Sequence, residues 1–471
     1  MKPTLIAVAC TLLFAGSSAF AADSSEVELL KQQLQGMQQQ MSNMQNKIDA
    51  MTASPNATAA SATTAAAAPG QSPLSVNIGG ASVTLYGHAD LSVEQTSNGK
   101  ENVSQVSSNL SYLGVRASSK ELGTSGLKAI AQFETLVNVS GTPTEVGGLG
   151  SRNSFLGVQG KFGKLMLGKT DTPYKRSTGS MDPFSATVGD YNAILGNTGG
   201  DLRAEFDARL PHSIFYDSPK MNGFSVNALF SPGQKYDNLA NSDKYAYAQG
   251  EKVCSGATPG SSGSTAGGQL DPTAPNSCND GAFKNAGSLA VNYANGPLFA
   301  TVSYERHDAV DRTGDTGGVT SNESAAKIGV TYNFGKNRLS AIYEKFYRAG
   351  GIDPTVNERA RDGYFISDVQ QLGNGLDLMA SWAHAGQTPG SPDFLTADDH
   401  ANMYALGLKY HYDKQTSVYV VGAVLNQGAG AHYAIGAGGH GVPIAAPRDA
   451  DGNTIGGQSI KALSVGMQYS F

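Results

Sequence analysis

The segment Leu463-Ser464-Val465-Gly466-Met467-Gln468-Tyr469-Ser470-Phe471, at the end of the printed sequence, decides the fold class. Its odd-numbered residues are all apolar and share one face of an extended strand, because successive side chains in a strand point to opposite faces. Its even-numbered residues are serine, glycine or glutamine and share the other face. A strand with lipid on one side and water on the other requires this pattern, so the segment predicts a strand of a transmembrane β-barrel.

The first residues are typical of a secretory signal. Met1-Lys2 is a positive start, residues 5–14 are apolar but too few to span a bilayer, and Ala19-Phe20-Ala21 is a small-x-small cleavage site. We therefore predict a signal peptide at 1–21 and an export destination. No later stretch is apolar enough for a membrane helix, and a net charge of only −6 gives no support for a nucleic-acid partner.

A heptad pattern follows at residues 22–51. Its apolar positions are spaced alternately by three and four residues, and they are Val27, Leu30, Leu34, Met37, Met41, Met44, Ile48 and Met51. Such a narrow stripe needs partner helices, so the pattern predicts a periplasmic coiled coil of unspecified strand number. The alternative is an amphipathic helix on a membrane surface, which a Gln-rich rather than Lys-rich polar face disfavours. Residues 52–75, rich in Ala, Thr, Ser and Pro, predict a flexible linker.

The body, residues 76–471, consists of short alternating segments. We count about sixteen candidate strands, an even number as bacterial barrels require. They lie near 82–94, 110–119, 127–139, 153–160, 164–169, 211–218, 222–231, 286–294, 297–306, 323–334, 338–348, 361–371, 375–385, 402–412, 416–426 and 459–471. In the segment 338–348 neither alternation keeps every charge on one face.

The connections are short and long in turn. The short ones lie at 121–126, 161–163, 220–222, 295–296, 335–336, 373–375 and 413–414. The long ones lie at 140–151, 170–210, 232–285, 307–322, 349–360, 386–400 and 427–457. One end of the barrel thus carries turns and the other carries loops, as in outer-membrane barrels. Both termini belong to the turn end, which therefore faces the periplasm.

Aromatic residues cluster near the segment ends, where they predict interfacial girdles, although strand propensity alone is an alternative explanation. They are Tyr112, Tyr216, Tyr293, Tyr304, Tyr332, Phe334, Tyr410, Tyr412, Tyr469 and Phe471.

Two cysteines, Cys254 and Cys278, share one long Gly/Ser/Pro-rich stretch. In an oxidising compartment we expect a disulfide between them, with two free thiols as the alternative.

Several motifs of the body match one known family. They are Leu85-Tyr86-Gly87, Tyr112-Leu113-Gly114-Val115, Arg152-Asn153-Ser154-Phe155-Leu156-Gly157, Leu167-Gly168-Lys169, Asp171-Thr172-Pro173-Tyr174, Ser213-Ile214, Tyr216-Asp217-Ser218-Pro219, Gly223-Phe224 and Tyr469-Ser470-Phe471. In these, the body resembles the trimeric general-diffusion porins of proteobacterial outer membranes over about residues 76–471. The resemblance implies an all-β membrane protein, an antiparallel 16-stranded barrel whose long loop at 170–210 folds inward as a constriction.

The resemblance also implies a charged pore. Acidic candidates on the loop are Asp182, Asp190 and Glu205, and basic candidates on the wall are His88, Arg116, Lys128, Arg152 and Arg209. Alternation along their strands points His88 and Arg116 inward, and for Arg116 and Lys128 the inward direction also follows from the cost of a charge on the lipid face. For Arg152 and Arg209 it follows from the resemblance alone, with ordinary loop solvation as the alternative. The resemblance further implies a homotrimer in outer-membrane lipid, and a terminal Phe471 that the barrel assembly machinery recognises.

The expected function is passive diffusion of small hydrophilic solutes and ions through a water-filled channel, with no enzyme activity, cofactor or metal site. The alternatives are a substrate-specific channel, for example for organic anions, and a barrel that anchors an envelope-tethering coiled coil. The stretch 163–170 matches the Walker A pattern, but its strand-like interior argues against nucleotide binding. His432 and His440 lie in a Gly/Ala-rich loop, where we expect them to be solvated.

Overall fold

A computed structural model describes the body of the protein. The chain divides into residues 1–70 and Gln71–Phe471, and every described residue belongs to the second unit. The described residues are 74–140, 149–196, 206–232, 264–265, 269–270, 283–311, 320–349, 360–389, 398–431, 433–436, 440, 444, 447 and 455–471. The predicted signal peptide, coiled coil and linker therefore lie outside them, except for the last two residues of the linker, and remain predictions.

The described part is almost entirely β-structure. Its strands are β1 Ser75–Ile78, β2 Ala81–Ser97, β3 Asn102–Ser108, β4 Tyr112–Glu121, β5 Lys128–Leu136, β6 Ser154–Gly160, β7 Gly163–Asp171, β8 Arg209–Asp217, β9 Phe224–Pro232, β10 Ser264–Thr265, β11 Gln269–Leu270, β12 Asn285–Asn295, β13 Leu298–Asp311, β14 Thr320–Phe334, β15 Asn337–Ala349, β16 Asp362–Gly373, β17 Leu376–Ala385, β18 Ala401–His411, β19 Thr416–Gln427 and β20 Ile460–Ser470. One short helix, α1 at Pro173–Thr178, and a 3₁₀ turn at Tyr191–Ala193 complete the set.

The strands close into a barrel. Apart from β3, which does not pair with β4, and the pair β10 and β11, consecutive strands pair antiparallel. Strand β9 pairs with β12, and β20 returns to pair with β2 from His88↔Ser470 to Ser97↔Lys461. The segments β3 and β4 follow one another along the same edge of β2 and occupy one position. Strand β1 extends the start of β2, and β10 and β11 form a separate hairpin. The predicted closed barrel of sixteen antiparallel positions is confirmed.

The last strand has the two faces that its sequence predicts. Leu463 and Met467 are 53% and 51% exposed on the outer surface, whereas Ser464 faces inward and is fully buried. Phe471 continues the closure, because its backbone N–H donates to the Gly87 carbonyl and its carbonyl accepts from the Gly87 N–H. The strand therefore presents lipid with one face and the lumen with the other.

Strand β15, whose alternation the sequence left open, points its even-numbered residues inward. Ser340 and Glu344 are buried there, and Ser340 bonds to Thr331 across the neighbouring strand. In this register one lysine, Lys345, points to the outer surface. Its ammonium lies 3.3 Å from the Asp362 carboxylate near the loop end, so the charge reaches the polar edge of the membrane.

Aromatic side chains ring the outer surface near the turn end. Tyr410 and Tyr412 are in edge contact at 4.9 Å between ring centroids, and Tyr332 and Phe334 are stacked at 6.3 Å. Tyr112 does not belong to this girdle, because its position on β4 directs it inward, where Arg152 lies over its ring. The sequence prediction for Tyr112 is wrong, since closeness to a strand end does not determine the face.

The stretch with the Walker A letters is the strand β7, which continues to Asp171. A helix begins three residues beyond the Lys-Thr pair, with Thr172 as N-cap and Pro173 in the first turn. No helix in the described ranges combines the length and apolar character that crossing a membrane requires.

Candidate functional site

The connection between β7 and β8 enters the barrel at its described residues, 172–196 and 206–208, and we call these residues the inward loop. Its helix α1 starts where Thr172 accepts a hydrogen bond from the Lys175 N–H. The helix contacts the inner face of β12, where the Tyr174 N–H donates to Ser288, and the inner face of β13, where Ser177 lies 3.0 Å from Ser303. The inward constriction loop expected from the resemblance is therefore present.

Beyond the helix, the inward loop packs through apolar contacts on the inner faces of β16 and β18. Tyr191 lies 4.6 Å from the Phe365 ring of β16. The Phe184 ring lies against Gly407 of β18, where a Cβ atom would be only 2.9 Å from the ring. This packing explains why the inner faces of β15–β19 carry apolar residues such as Ile342, where a water-facing wall would carry polar ones.

A buried ionic cluster joins the inward loop to β14 and β15. The Lys327 ammonium lies 2.8 Å from Asp207 and 3.6 Å from Glu344. The Tyr174 hydroxyl donates to Glu344 at 3.0 Å, and the Gly196 N–H donates to the same carboxylate. Lys327 also lies 4.0 Å from the centre of the Tyr174 ring. The lysine and both carboxylates therefore each have a partner of opposite charge. The cluster therefore ties both ends of the loop to β14 and β15, on one side of the lumen.

Two of the three acidic candidates shape the loop itself. Asp190 accepts hydrogen bonds from the N–H groups of Ala186 and Asn192, and Asp182 accepts from Phe184 at 2.8 Å and from Tyr191 at 3.4 Å. Burial, followed by the neighbouring Asp190 carboxylate, raises the pKa of Asp182 well above the ordinary value, and burial also raises the pKa of Asp190. Asp182 lines an open cavity, whereas Asp190 lies inside the loop, 1% exposed. Glu205 lies outside the described residues.

Three of the five basic candidates meet on the wall facing the loop. Arg116 of β4 lies 4.0 Å from the Tyr86 ring and donates to Gln132 at 2.9 Å. Arg152, just before β6, donates to Glu134 at 2.6 Å and lies 4.7 Å from the Tyr112 ring.

His88 of β2 completes this wall cluster. Its ring lies 5.8 Å from that of Tyr112, and its Nδ1 is 2.8 Å from the Ser470 hydroxyl of β20. The alternation of β2 therefore brings an imidazole beside the two guanidinium groups, as the inward parity of His88 predicts.

The other two basic candidates lie elsewhere. Lys128 is exposed at the turn end of β5, opposite Glu121. Arg209 is 3.0 Å from Asp171 and donates to Asn153 at 2.7 Å, which holds together the base of the inward loop.

The connection between β19 and β20 also turns inward at its described residues, and we call these residues the final loop: 428–431, 433–436, 440, 444, 447 and 455–459. Tyr433 is fully buried there and accepts a hydrogen bond from Arg361. His440 has its Nε2 2.8 Å from Glu94 of β2, and neither side chain is exposed. The expectation of a solvated His440 is wrong, because Glu94 offers it a buried acceptor that loop composition cannot indicate. His432 lies outside the described residues.

A cavity of about 460 Å³ lies below the inward loop, toward the turn end of β14–β18. Its loop side includes Asp182, and its wall includes four basic groups that were not among the candidates: Lys336, Arg338, Lys409 and His411. The alternation of β18 could have identified Lys409 and His411. Tyr410 and Tyr412 face lipid, so the residues before each of them face the lumen.

Cys254 and Cys278 lie outside the described residues, so their disulfide remains a prediction. Within the described ranges, no group of three or more His, Cys, Asp or Glu side chains could hold a metal ion.

The closed barrel, its lipid-facing aromatic residues and its lumen crossed by a charged loop define an outer-membrane channel protein. The Gram-negative porin family matches residues 57–430, and the chain belongs to that family. The major outer membrane protein P.IB of Neisseria sicca is 26% identical over 370 residues, which cover 74% of this chain and 90% of the relative. An outer membrane porin protein of Bordetella pertussis is 22% identical, over 67% of this chain and 76% of the relative.

Solved structures share the fold. The anion-selective porin from Comamonas acidovorans superposes with a TM-score of 0.59 at 21% identity, covering 83% of this chain and all of that one. The trimer form of OmpT from Vibrio cholerae gives a TM-score of 0.52 at 17% identity, covering 83% of this chain and 99% of that one. The protein is an outer-membrane porin that crosses the membrane many times as a β-barrel.

Proposed function

We propose that solutes cross by passive diffusion between the inward loop and the wall formed by β2, β4, β5 and β6, and that the protein catalyses no reaction and needs no cofactor. The observation that carries this proposal is the fixed position of the loop. Lys327, Asp207 and Glu344 hold it against one side of the lumen and leave the charged wall on the other side. A narrow passage lined by polar groups selects solutes by size and charge.

We propose further that the charge of Arg116 contributes most to the field on this wall. Arg152 is compensated by Glu134, whereas Arg116 donates to the neutral amide of Gln132. On the loop, Asp182 faces a cavity but has a raised pKa, so it keeps its proton to a higher pH than an ordinary carboxyl. His88 contributes charge only at low pH.

Swelling of liposomes in uncharged sugars tests diffusion. Proteoliposomes should swell at rates that fall steeply as the sugar grows, with no saturation by any one sugar. Saturable uptake of a single solute would instead support a substrate-specific channel. No swelling in any sugar would leave the barrel as an anchor for its N-terminal tail.

We propose that the protein assembles as a homotrimer, with residues 22–51 as a periplasmic coiled coil that supports the assembly. The unbroken heptad spacing supports this, and so does the likeness to OmpT, whose solved structure is described as a trimer. Deletion of 23–72 should weaken the oligomer in a native gel and leave the pore conductance unchanged. An unchanged oligomer with lost envelope attachment would favour the tethering role.

We propose that Phe471 serves the barrel assembly machinery as a recognition signal and also seals the barrel. The seal has structural support, since the Phe471 backbone pairs with Gly87 and the ring covers it. Slower assembly in cells with unchanged refolding in detergent is expected for Phe471→Leu if the machinery reads the residue.

A further inference from the structure

The cavity below the inward loop carries an excess of basic groups. Lys336 and Arg338 belong to the turn and start of β15, and Lys409 and His411 belong to the end of β18. The carboxylates on the same cavity are Asp182 and Asp377. Asp377 is 3.2 Å from His411, so its charge already faces one of the four basic groups.

The arginine in this cavity has a nitrogen without an acceptor in the described part of the chain. The Nε atom of Arg338 is buried and has no hydrogen-bond partner among the described residues, and the same holds for the adjacent Asn337 Oδ1. Lys409 donates only to the neutral amide of Gln468, so neither cation has a carboxylate in contact in the described ranges. The Nε atom itself is shielded from the cavity, but a guanidinium that lines a cavity without a carboxylate partner favours an oxyanion that reaches its terminal nitrogens.

We propose that this cavity is a binding site for a small oxyanion, a carboxylate or a phosphate, which Arg338 and Lys409 hold on the periplasmic side of the inward loop. The guanidinium offers two parallel donors to a planar or tetrahedral oxyanion, and the ammonium adds a point charge. The volume of about 460 Å³ accommodates an ion of a few heavy atoms together with water. The cavity lies on the route of a solute that has passed the inward loop. The site rests on the proposed channel function, and it would make small anions preferred solutes.

The charge state of Asp182 supports the site. Burial and Asp190 raise the pKa of Asp182, so the loop side of the cavity stays free of its negative charge to a higher pH than an ordinary carboxyl would allow. The other titratable groups that line the cavity are Asp377 and His411, which lie together, and the two lysines.

Single-channel recording of the full protein tests the site with succinate and inorganic phosphate as probes. Each anion, added to chloride solution, should produce brief blocks whose frequency rises with its concentration. Arg338→Gln and Lys409→Gln should each raise the half-blocking concentration about tenfold, the change expected from losing one charge-assisted hydrogen bond. Block by succinate alone would identify a carboxylate site, and block by phosphate alone would identify a phosphate site.

The matched control is Lys164→Gln, which removes a lysine from the turn end of β7, outside this cavity. It should leave the block unchanged. Equal loss of block in the control and the two variants, or no block in the conducting wild-type protein, would overturn the site while leaving the channel intact. A wild-type protein without conductance would instead contradict the proposed function. Arg338→Lys guards against misfolding, because it keeps the charge and should retain part of the block.

Discussion

At the scale of single residues, the barrel closes through a contact that only glycine permits. Gly87 points to the outer surface, and a Cβ there would lie 2.5 Å from the Phe471 ring. Its neighbours on the same face are larger, so the absence of a side chain at this position leaves room for the terminal aromatic ring. The C-terminal residue thus covers the junction of the first and last barrel strands.

Replacement of Gly87 should therefore weaken closure. Gly87→Ala is expected to cost about 1–3 kcal/mol, the usual effect of overpacking. The measurement is the temperature at which the folded band in an unheated gel converts to the unfolded band. Gly422→Ala is the control, since a Cβ at that glycine meets nothing nearer than 4.0 Å. A fall in both variants, or in neither, would contradict the role of Gly87.

Asp182 makes ion selectivity depend on pH. Its raised pKa means that it is neutral below that pKa and ionises as the pH rises through it, well above the usual carboxyl value of about 4. Negative charge then appears on the loop, so the reversal potential under a salt gradient should shift toward cation selectivity as the pH rises through the raised pKa. The folded loop should lose stability as the pH rises from the unfolded carboxyl pKa of about 4 to that raised pKa, because the folded state holds the proton more tightly than the unfolded chain.

Asp182→Asn should remove this shift and hold the selectivity of the neutral form. A variant with the same pH dependence as the wild-type protein would show that another group titrates. His88→Gln provides the comparison, since an imidazole on the wall should affect selectivity only at the acidic end.

At the scale of elements, the inward loop depends on the buried cluster of Lys327, Asp207 and Glu344. Removing the lysine leaves two carboxylates buried without their cation, and one unpaired buried charge typically costs about 3–5 kcal/mol. Lys327→Met should therefore release the loop. The expected result in single-channel recordings is larger and noisier current, with a lower unfolding temperature.

Lys345→Met is the matched control on the adjacent strand. Lys345 pairs with Asp362 at the surface, where both side chains are 40% exposed, and such pairs contribute about 0–1 kcal/mol. It should leave both current and stability nearly unchanged. Quiet currents in Lys327→Met would show that the apolar contacts of Phe184 and Tyr191 suffice to hold the loop.

The final loop offers a second test at this scale. His440 and Glu94 are buried together, and His440→Ala removes the contact that ties the final loop to Glu94, which keeps its hydrogen bonds from Ser92, Gln105 and Ser464. We expect the loop to leave the mouth of the barrel more often and the open-channel conductance to rise. The change should be absent in His400→Ala, whose histidine is 42% exposed beside Asp398.

The two-residue alternation of the sequence predicts most of the strands but not the contacts between distant elements. Alternation along 459–471 and the ordering of turns and loops predict the barrel, because a lipid face and a water face impose a strict two-residue period. The same rule predicts His88 and Arg116 on the inner wall. It fails for β15–β19, where the inward loop makes the inner face apolar too, and no local pattern shows that Phe184 will pack on Gly407. It also misses His440, because a pair with Glu94 spans 346 residues of sequence.

At the scale of the whole molecule, the barrel combines two surfaces that a soluble protein would not. The outside is a lipid-facing layer bounded by aromatic residues such as Tyr410 and Tyr469, and the inside is a polar lumen narrowed by two loops. The proposed selectivity depends on the passage between the inward loop and the wall that carries Arg116.

The most direct test is the current through a planar lipid bilayer after addition of the purified full-length protein. We expect the current to increase in discrete steps. The current of each step should be proportional to voltage, and its conductance should be proportional to salt concentration, as for a permanently water-filled pore. If three barrels insert together, each event should close in three equal sublevels. Repeated insertion of correctly folded, heat-modifiable protein without any conductance step would contradict the channel.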